Sequence, residues 1–290
     1  MDGSPTSDRG AVLITGSSTG IGEACALHLD TLGFRVYAGV RRDADGEALR
    51  QKSSGRITLV HLDVTDLASV AAARATIERQ ETKLAGLVNN AGIVAAGPLE
   101  ILPLEEFRRQ LEVNVIGQLA VTQAFIPLLR KARGRIVMMG SISGRIATPF
   151  IGAYAASKYA LEAMTDALRV ELMPWGIEVA IVEPGSIATP IWEKSRQRSG
   201  EIARGIVAER RELYHLQYEA MRKAAKETGE SGIPASEVAR VVEHALTAAR
   251  PRTRYLVGKD AKQRARLAKF IPDRILDRII VKKLGLPAKA

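Results

Sequence analysis

Three polar residues in the middle of the chain, Ser141, Tyr154 and Lys158, have types and spacing suited to acid–base chemistry. Tyr154 and Lys158 are four residues apart in an alanine-rich segment with helical apolar spacing, so they share one face of a predicted helix. A neighbouring ammonium favours the phenolate, so Lys158 is expected to lower the pKa of Tyr154 from about 10 toward neutrality. Ser141 follows a predicted buried strand, and its hydroxyl can hydrogen-bond a carbonyl that Tyr154 protonates.

A glycine-rich segment near the N-terminus predicts a dinucleotide site. The apolar run 11–14 is predicted as a buried strand and leads into Thr15–Gly22, where three glycines have the spacing Gly-x-x-x-Gly-x-Gly. A helical pattern over 23–32 and a strand over 34–40 follow, which completes a βαβ unit. Glycines let the backbone approach a pyrophosphate closely, and the helix N-terminus supplies free N–H groups for it.

The end of the second predicted strand bears on which dinucleotide fits. In such βαβ units an acidic residue there binds a free ribose 2′-hydroxyl, whereas an arginine suits a 2′-phosphate. This chain has Gly39-Val40-Arg41-Arg42 at that point and no acid before Asp43. Arg41 therefore favours NADP(H) over NAD(H), and the alternative is that it is a solvated loop arginine.

Apolar runs and helical patterns alternate through the rest of the chain. This alternation over residues 10–258 predicts one α/β domain, a doubly wound parallel sheet with helices on both faces. Residues 191–232 are charged and helical in character and are predicted as a lid insertion, and residues 1–9 as a disordered tail. The further predicted strands are 56–62, 84–88, 135–139, 177–182 and 254–258, and the further predicted helices are 67–81, 104–127, 154–168 and 234–249.

Several segments that follow predicted strands are placed where a doubly wound sheet binds ligands. Asp63 can accept a hydrogen bond from an adenine amino group. The Asn-Asn-Ala-Gly segment 89–92 suits a turn that passes close to a cofactor, and Pro184-Gly185 faces the same crevice. Asn114 lies in an apolar helical pattern and needs polar partners there; the alternative is a satisfied structural amide.

Composition limits the classes of function. The 290 residues carry a net charge of +10, and residues 259–290 hold +7 of it from ten Lys and Arg against three Asp. The body is therefore ordinarily balanced, and nucleic-acid binding is not expected. The single cysteine, Cys25, suits a reducing compartment and is expected to be packed rather than reactive. The N-terminus lacks a signal-peptide pattern and no apolar stretch is long enough for a spanning helix, which predicts a soluble, cytoplasmic protein.

The basic C-terminal extension, residues 259–290, contains a predicted amphipathic helix that begins after Pro272. Its apolar residues share one stripe. Such a helix can lie peripherally on an anionic membrane surface, or it can pack on the body or on a second subunit. The stripe consists of Ile275, Leu276, Ile279, Ile280 and Leu284.

Together these motifs resemble the short-chain dehydrogenase/reductase family, which has a Rossmann-like fold. The resemblance covers roughly residues 10–258. The offset of 13 residues between Ser141 and Tyr154 is also similar to the family's. The motifs that carry the resemblance are Thr15–Gly22, Asp63, Asn89–Gly92, Asn114, Ser141, Tyr154, Lys158 and Pro184-Gly185.

This resemblance implies hydride transfer with a nicotinamide dinucleotide. Tyr154 is then the general acid/base, Lys158 lowers its pKa and binds the nicotinamide ribose, Ser141 polarises the substrate carbonyl, and Asn114 holds a water of the proton relay. The family's NAD-preferring members have an acid where Val40 stands, so Arg41 beside it again favours NADP(H). The implied cofactor contacts are Gly16, Ser18, Thr19, Gly20 and Ile21 to the pyrophosphate, Asp63 and Val64 to adenine, Asn90, Ala91 and Gly92 on the adenosine side, Pro184 and Gly185 at the crevice, and Ile187 and Thr189 to the carboxamide.

Further similarities, in segments 35–41, 97–100, 148–150 and 157–162, point to the hydroxysteroid and retinol dehydrogenase branch of the family. That branch acts on apolar alcohols and ketones, so a small apolar substrate is expected, with segment 144–151 either lining its pocket or lying in the core. The resemblance also implies a homodimer or homotetramer. The alternatives are an NAD-dependent alcohol dehydrogenase of the same fold and a dinucleotide-sensing protein with little turnover.

Overall fold

A computed structural model describes residues 8–230 and 232–287, so the predicted tail over residues 1–9 lies almost wholly outside the described residues. Seven parallel strands form one sheet in the order β3-β2-β1-β4-β5-β6-β7. The predicted α/β doubly wound sheet in a single domain is confirmed. The strands are β1 (Ala11–Thr15), β2 (Arg35–Val40), β3 (Ile57–His61), β4 (Gly86–Asn89), β5 (Arg135–Met139), β6 (Glu178–Pro184) and β7 (Arg254–Val257).

The helices that accompany these strands are α1 (Gly20–Thr31), α2 (Asp43–Gln51), α3 (Leu67–Glu78), α4 (Leu104–Leu111), α5 (Gly117–Ala132), α6 (Gly152–Glu171), α7 (Ile191–Arg204), α8 (Ala208–Glu212), α9 (His215–Glu230), α10 (Ala235–Thr247), α11 (Lys259–Phe270) and α12 (Asp273–Leu284). One core layer lies between the sheet and α3, α5 and α6, where Ile77, Phe125 and Leu161 are fully buried. The other lies between the sheet and α1 and α10, where Leu29 and Val242 are fully buried. Helices therefore cover both faces of the sheet.

The strand order reverses at β1, which pairs with β2 on one side and with β4 on the other. The connections on the two sides run along opposite faces of the sheet, so a crevice opens at the carboxyl ends of β1 and β4. The glycine-rich segment after β1 and the segment 90–92 after β4 meet there.

Two helices, α2 and α11, have no counterpart among the predictions from sequence. Both are mostly polar: α2 buries only Gly46 and Leu49, and α11 buries only Ala261. A helix with so few buried residues lacks the apolar stripe that marks a helix in a sequence.

A π-helical turn at Glu112–Ile116 joins α4 to α5, within the helix predicted over 104–127. Contrary to the expectation from sequence, the joined stretch Leu104–Ala132, of 29 residues, is long and apolar enough by composition to span a membrane. Its residues Val121, Phe125 and Leu129 are fully buried in the core. This burial is what a core helix of a sheet protein shows.

The C-terminal extension packs on the body along one side of its apolar stripe. Leu276 and Ile280 of α12 and Ala261 of α11 form a cluster with Ile142. Ile275 points away from this cluster and is 49% exposed. The structure thus realises packing on the body for half of the stripe and leaves the other half free.

Candidate active site

A cavity of about 1460 Å³ opens at the carboxyl ends of the strands. Every site residue predicted from the sequence lines it except Asn114, which lies behind its wall. The predicted residues on the wall are Gly16, Ser18, Thr19, Gly20, Ile21, Arg41, Asp63, Val64, Asn90, Ala91, Gly92, Ser141, Tyr154, Lys158, Pro184, Gly185, Ile187 and Thr189.

The glycine-rich loop after β1 is held against the residues that follow β4. Gly16 has a φ of +66°, and a Cβ there would lie 2.8 Å from the Cα of Ala91, so this position requires glycine. The Asn90 side chain donates to the carbonyls of Thr15 and Gly16 at 2.9 and 3.1 Å. The Thr15 hydroxyl accepts the N–H groups of Asn90 and Ala91, each at 2.9 Å. Sequence reasoning gave Thr15 no role, but these contacts show that it fixes the loop together with Asn90.

Helix α1 begins at this loop and presents its first N–H groups to the cavity. Thr19, at the N-cap, makes no side-chain hydrogen bond to the helix. Gly20 and Ile21 of the first turn line the cavity. Uncapped N–H groups at the positive end of the helix dipole favour an anion, and a pyrophosphate meets that requirement.

The two arginines at the adenosine end have different partners. Arg42 donates to both carboxylate oxygens of Asp45, whereas Arg41 has no hydrogen-bond or ion-pair partner within the described residues. Asp63 accepts the N–H and the hydroxyl of Thr65 at 2.9 and 2.7 Å. Burial alone would raise the pKa of Asp63, but these hydrogen bonds and the charge of Arg41 bring it below its usual value.

Ser141, Tyr154 and Lys158 come together at the carboxyl end of β5. The Ser141 hydroxyl hydrogen-bonds Tyr154 and accepts the N–H of Ser143 at 3.1 Å. The Lys158 Nζ donates to the carbonyl of Met139 at 2.7 Å and lies 5.5 Å from the centre of the Tyr154 ring. The structure therefore places a phenol, a hydroxyl and an amine around one point of the cavity.

Burial governs the titration of these groups. Burial raises the pKa of Tyr154, and the hydrogen bond with Ser141 offsets this only in part. Burial also lowers the pKa of Lys158 to about 8, against the opposing effect of the Glu162 charge. The expectation that Lys158 lowers the pKa of Tyr154 is thus wrong in this structure. A phenol that keeps its proton at neutral pH suits a general acid.

Asn114 is fully buried within the π-helical turn. Its Oδ1 accepts the N–H of Ile93 at 2.9 Å, and its Nδ2 donates to the Ile93 carbonyl and the Ser157 hydroxyl at 3.1 Å each. Ser157 donates in turn to the Tyr154 carbonyl at 2.7 Å. Asn114 therefore ties the segment after β4 to the helix that carries Tyr154. Its role toward a water stays a prediction.

A buried charge cluster behind Lys158 is a feature that sequence reasoning missed. Glu183, fully buried at the end of β6, accepts from the Arg145 Nη2 at 3.0 Å. Glu162 hydrogen-bonds Glu183 and pairs with Arg254 at 3.2 Å. Burial and the nearby Glu183 carboxylate raise the pKa of Glu162 to about 8. The signal in the sequence is the position of Glu162 one helical turn after Lys158.

The segment after β6 closes the remaining side of the cavity, and α11 supports it. A Cβ on Gly185 would collide with the carboxylate of Asp260. Asp260 accepts the N–H of Ser186 at 2.8 Å across 74 residues of sequence. Asp260 is a second residue that sequence reasoning missed, because no local pattern connects it to Gly185.

The chain's own residues fit a nicotinamide dinucleotide. The glycines at 16 and 185 leave no room for a side chain, the first turn of α1 offers N–H groups, and Arg41 is uncommitted. Within the part of the chain that the structure describes, no three His, Cys, Asp or Glu side chains group as a metal site. Cys25 is buried and its pKa is raised to about 12 by burial, so it is inert.

The sheet order, the glycine-rich loop and the Ser141–Tyr154–Lys158 group define a dinucleotide-dependent oxidoreductase. A family model described as short chain dehydrogenase matches residues 10–200. The chain belongs to the short-chain dehydrogenase/reductase family.

The relatives narrow the branch. The chain is 38% identical to retinol dehydrogenase 5 of Mus musculus, covering 99% of this chain and 92% of the relative. It is 39% identical to 17-beta-hydroxysteroid dehydrogenase type 6 of Bos taurus, covering 96% of this chain and 90% of the relative. The chain is therefore an oxidoreductase of the hydroxysteroid/retinol branch that acts on alcohol groups.

Solved structures agree with this fold. A short chain dehydrogenase from Burkholderia cenocepacia in complex with NADP is 27% identical, with a TM-score of 0.68 over 96% of this chain and 98% of that one. A short chain dehydrogenase/reductase from Burkholderia phymatum in complex with NAD is 23% identical, with a TM-score of 0.77 over 98% of each chain. At that identity the second shows the fold alone. The cofactor class of this chain is a nicotinamide dinucleotide.

Proposed function

We propose that this protein transfers a hydride between NADP(H) and an apolar ketone, aldehyde or secondary alcohol of steroid- or retinoid-like size. The observation that carries the proposal is the Ser141–Tyr154–Lys158 group beside a mostly apolar part of the cavity. The names of the retinol and 17-beta-hydroxysteroid dehydrogenase relatives support this substrate class. The apolar residues on this part of the wall are Ile142, Ile146, Ile151, Trp192, Met221, Leu267, Leu276 and Ile280.

Each catalytic side chain has a role that its surroundings support. Tyr154 gives its proton to the carbonyl oxygen in reduction and takes it back in oxidation. Ser141 donates a hydrogen bond to that oxygen. Lys158 binds the nicotinamide ribose and, when charged, stabilises the phenolate that forms. Asn114 holds a water that passes the proton onward, and the dinucleotide supplies or accepts the hydride when bound.

The preference for NADP(H) rests on Arg41. Because no described acid neutralises Arg41 and β2 ends without an acid, its guanidinium is available to a 2′-phosphate. The other proposed contacts follow the cavity wall: the glycine-rich loop and the first turn of α1 hold the pyrophosphate, Asp63 and Val64 flank adenine, residues 90–92 face the adenosine side, and Pro184, Gly185, Ile187 and Thr189 meet the nicotinamide end.

The insertion over residues 191–232 serves as a lid on the substrate side. Trp192 of α7 and Met221 of α9 line the cavity. Tyr214 and Tyr218 pack edge-on against Phe150, with ring centres 6.2 and 5.2 Å apart from it. These contacts give the lid an aromatic hinge on segment 144–151, beside the catalytic tyrosine.

The test is turnover of all-trans-retinol and of a 17-beta-hydroxysteroid with NADP⁺ and with NAD⁺, together with fluorescence titration of NADPH and NADH. The Tyr154→Phe variant is expected to lose turnover and to keep its dinucleotide affinity, because it removes one hydroxyl from the reaction centre. If the wild type bound a dinucleotide but transferred no hydride to or from any apolar carbonyl compound, a dinucleotide-sensing role would replace the proposal.

A homodimer or homotetramer built on the long helices is part of the proposal. Ile116 beside α5 and Tyr159 and Val170 on α6 are large and exposed. Light scattering after size exclusion is expected to give a multiple of the 31.3 kDa chain, and Val170→Asp is expected to shift it toward the monomer. A wild type that runs as a monomer at micromolar concentration contradicts this assembly.

We also place the free face of the extension on an anionic membrane surface, with the enzyme cytoplasmic and peripheral. Phe270, Ile275 and Ile279 are exposed there, within the segment that carries +7 of the net charge. Co-sedimentation with phosphatidylserine vesicles is expected at low salt, weaker at high salt, and weaker for Phe270→Asp. No sedimentation at low salt contradicts the placement.

A further inference from the structure

Arg264 is a cation within the apolar part of the cavity wall that α11 and α12 provide. Arg264 and Leu267 of α11 line the cavity together with Leu276, Ile279 and Ile280 of α12. The Arg264 side chain is half-buried. Its Nη2 donates to the Thr148 hydroxyl at 2.9 Å, so it lies against segment 144–151, between Ser141 and Tyr154 in sequence.

No protein carboxylate neutralises this arginine. Within residues 8–223 and 232–287, no Asp or Glu oxygen lies within ion-pair distance of its guanidinium. Asp260, one helical turn earlier, is already committed to the N–H of Ser186 at 2.8 Å. Burial lowers the pKa of Arg264, and the more distant Asp260 charge only partly offsets this. The guanidinium stays charged, since arginine does not deprotonate in proteins.

The remaining donors of Arg264 are open to a ligand. A guanidinium has five N–H donors, and Thr148 accepts from one nitrogen. The other nitrogens are not among the enclosed, unpartnered atoms of the described residues, so they reach the cavity. An unpaired, half-buried cation among apolar side chains is costly, and an anionic oxygen from a ligand offsets that cost.

We propose that Arg264 is a specificity-determining residue that binds a carboxylate on the substrate. The preferred substrate is then an amphipathic molecule with an apolar body, a carbonyl or carbinol that reaches Tyr154, and a carboxylate that pairs with Arg264. This inference rests on the proposed function for the reacting group, but the carboxylate site itself requires only binding.

The experiment compares lithocholate, an apolar hydroxysteroid with a terminal carboxylate, with its methyl ester. Equilibrium dialysis against the protein saturated with NADPH gives both affinities without turnover. The wild type is expected to bind the acid about tenfold or more tightly than the ester, because a charged hydrogen bond is exchanged for a neutral contact. Arg264→Met is expected to remove that difference, and Arg264→Lys to keep part of it.

Two matched variants separate the site from a structural tether and from surface charge. Thr148→Val breaks the tether but keeps the cation, so the acid preference should remain. Arg266→Met removes an exposed cation on the same helix and should change nothing. Equal affinity for acid and ester in the wild type, failure of both lithocholate and dodecanoate to bind, or the same loss in Arg266→Met overturns the proposal.

The same samples distinguish its failure from failure of the proposed function. Acid binding that depends on Arg264, without hydride transfer, leaves the carboxylate site standing and removes the proposed reaction. Turnover of acid and ester with equal KM in the wild type removes the carboxylate site and leaves the reaction standing. NADPH affinity must be unchanged in Arg264→Met; a loss would assign the arginine to the cofactor instead.

Discussion

Arg42 is held by Asp45, whose two carboxylate oxygens accept from its guanidinium at 2.8 and 2.9 Å. Asp45 therefore neutralises one of two adjacent arginines at the adenosine end and leaves Arg41 for a ligand. Hydrogen bonding to Asp45 also raises the pKa of Arg42. The two side chains are adjacent in sequence and exposed alike, so they make a matched pair for testing which of them reads the 2′-phosphate.

Arg41→Ala is expected to weaken NADPH binding about ten- to a hundredfold and to leave NADH binding nearly unchanged, because only NADPH carries the 2′-phosphate. Fluorescence titration of both dinucleotides measures this. Arg42→Ala is the control and should cost NADPH much less, since Arg42 is already paired. Equal losses for NADPH and NADH in Arg41→Ala would mean that Arg41 does not read the phosphate.

Gly16→Ala is expected to lower the free energy of unfolding by about 1–3 kcal/mol and to weaken both dinucleotides. A side chain there would be strained at a φ of +66° and would meet the Ala91 backbone at 2.8 Å. Urea unfolding and dinucleotide titration measure the two effects. Gly200→Ala in α7 is the control, because its Cβ meets nothing within 4 Å; it should be neutral or slightly stabilising. A stable Gly16→Ala that binds normally would contradict the loop geometry.

Glu162 is expected to make stability fall as pH rises toward 8. Its folded pKa is raised to about 8, whereas an unfolded glutamate titrates near pH ~4.3. The folded state therefore holds a proton that the unfolded state has released, and this stabilisation is complete below the unfolded pKa and lost as pH rises through the folded one. Relative to Glu162→Gln, the wild type should lose on the order of a few kcal/mol between pH 5 and 8.

Urea unfolding of both proteins at several pH values measures this slope. Asp166→Asn is the matched control in the same cluster, because hydrogen bonding to Arg254 lowers the pKa of Asp166, which therefore adds no slope between pH 5 and 8. Parallel pH profiles for the wild type and Glu162→Gln would show that Glu162 is charged in the folded protein.

Local patterns predicted what local physics determines. The apolar run 135–139 matches β5 residue for residue, and α12 starts and ends where Pro272 and Gly285 bound its apolar stripe. The glycine-rich loop and the Tyr154–Lys158 spacing are equally local, since a turn and one face of a helix define them. Those parts of the fold and the site could be predicted from the sequence.

Contacts between distant segments could not be predicted in this way. The pairing of Glu162 with Glu183 and the approach of Asp260 to Gly185 depend on how β6, α6 and α11 pack. The pKa of Tyr154 has the opposite direction to the one expected, because burial is a property of the folded chain and outweighs the local pattern. The lone polar stretch of α11 likewise gave no sign that it lines the cavity.

The last prediction concerns the two sides of α12. Leu276 packs in a cluster with Ile142, Ile146 and Ala261, whereas its neighbour Ile275 is exposed. Leu276→Asp should lower the free energy of unfolding by about 2–4 kcal/mol, since it removes buried apolar surface and buries a carboxylate. Ile275→Asp should change it by less than about 0.5 kcal/mol. Urea unfolding distinguishes them, and equal losses in both variants would show that α12 does not pack on the body by this face.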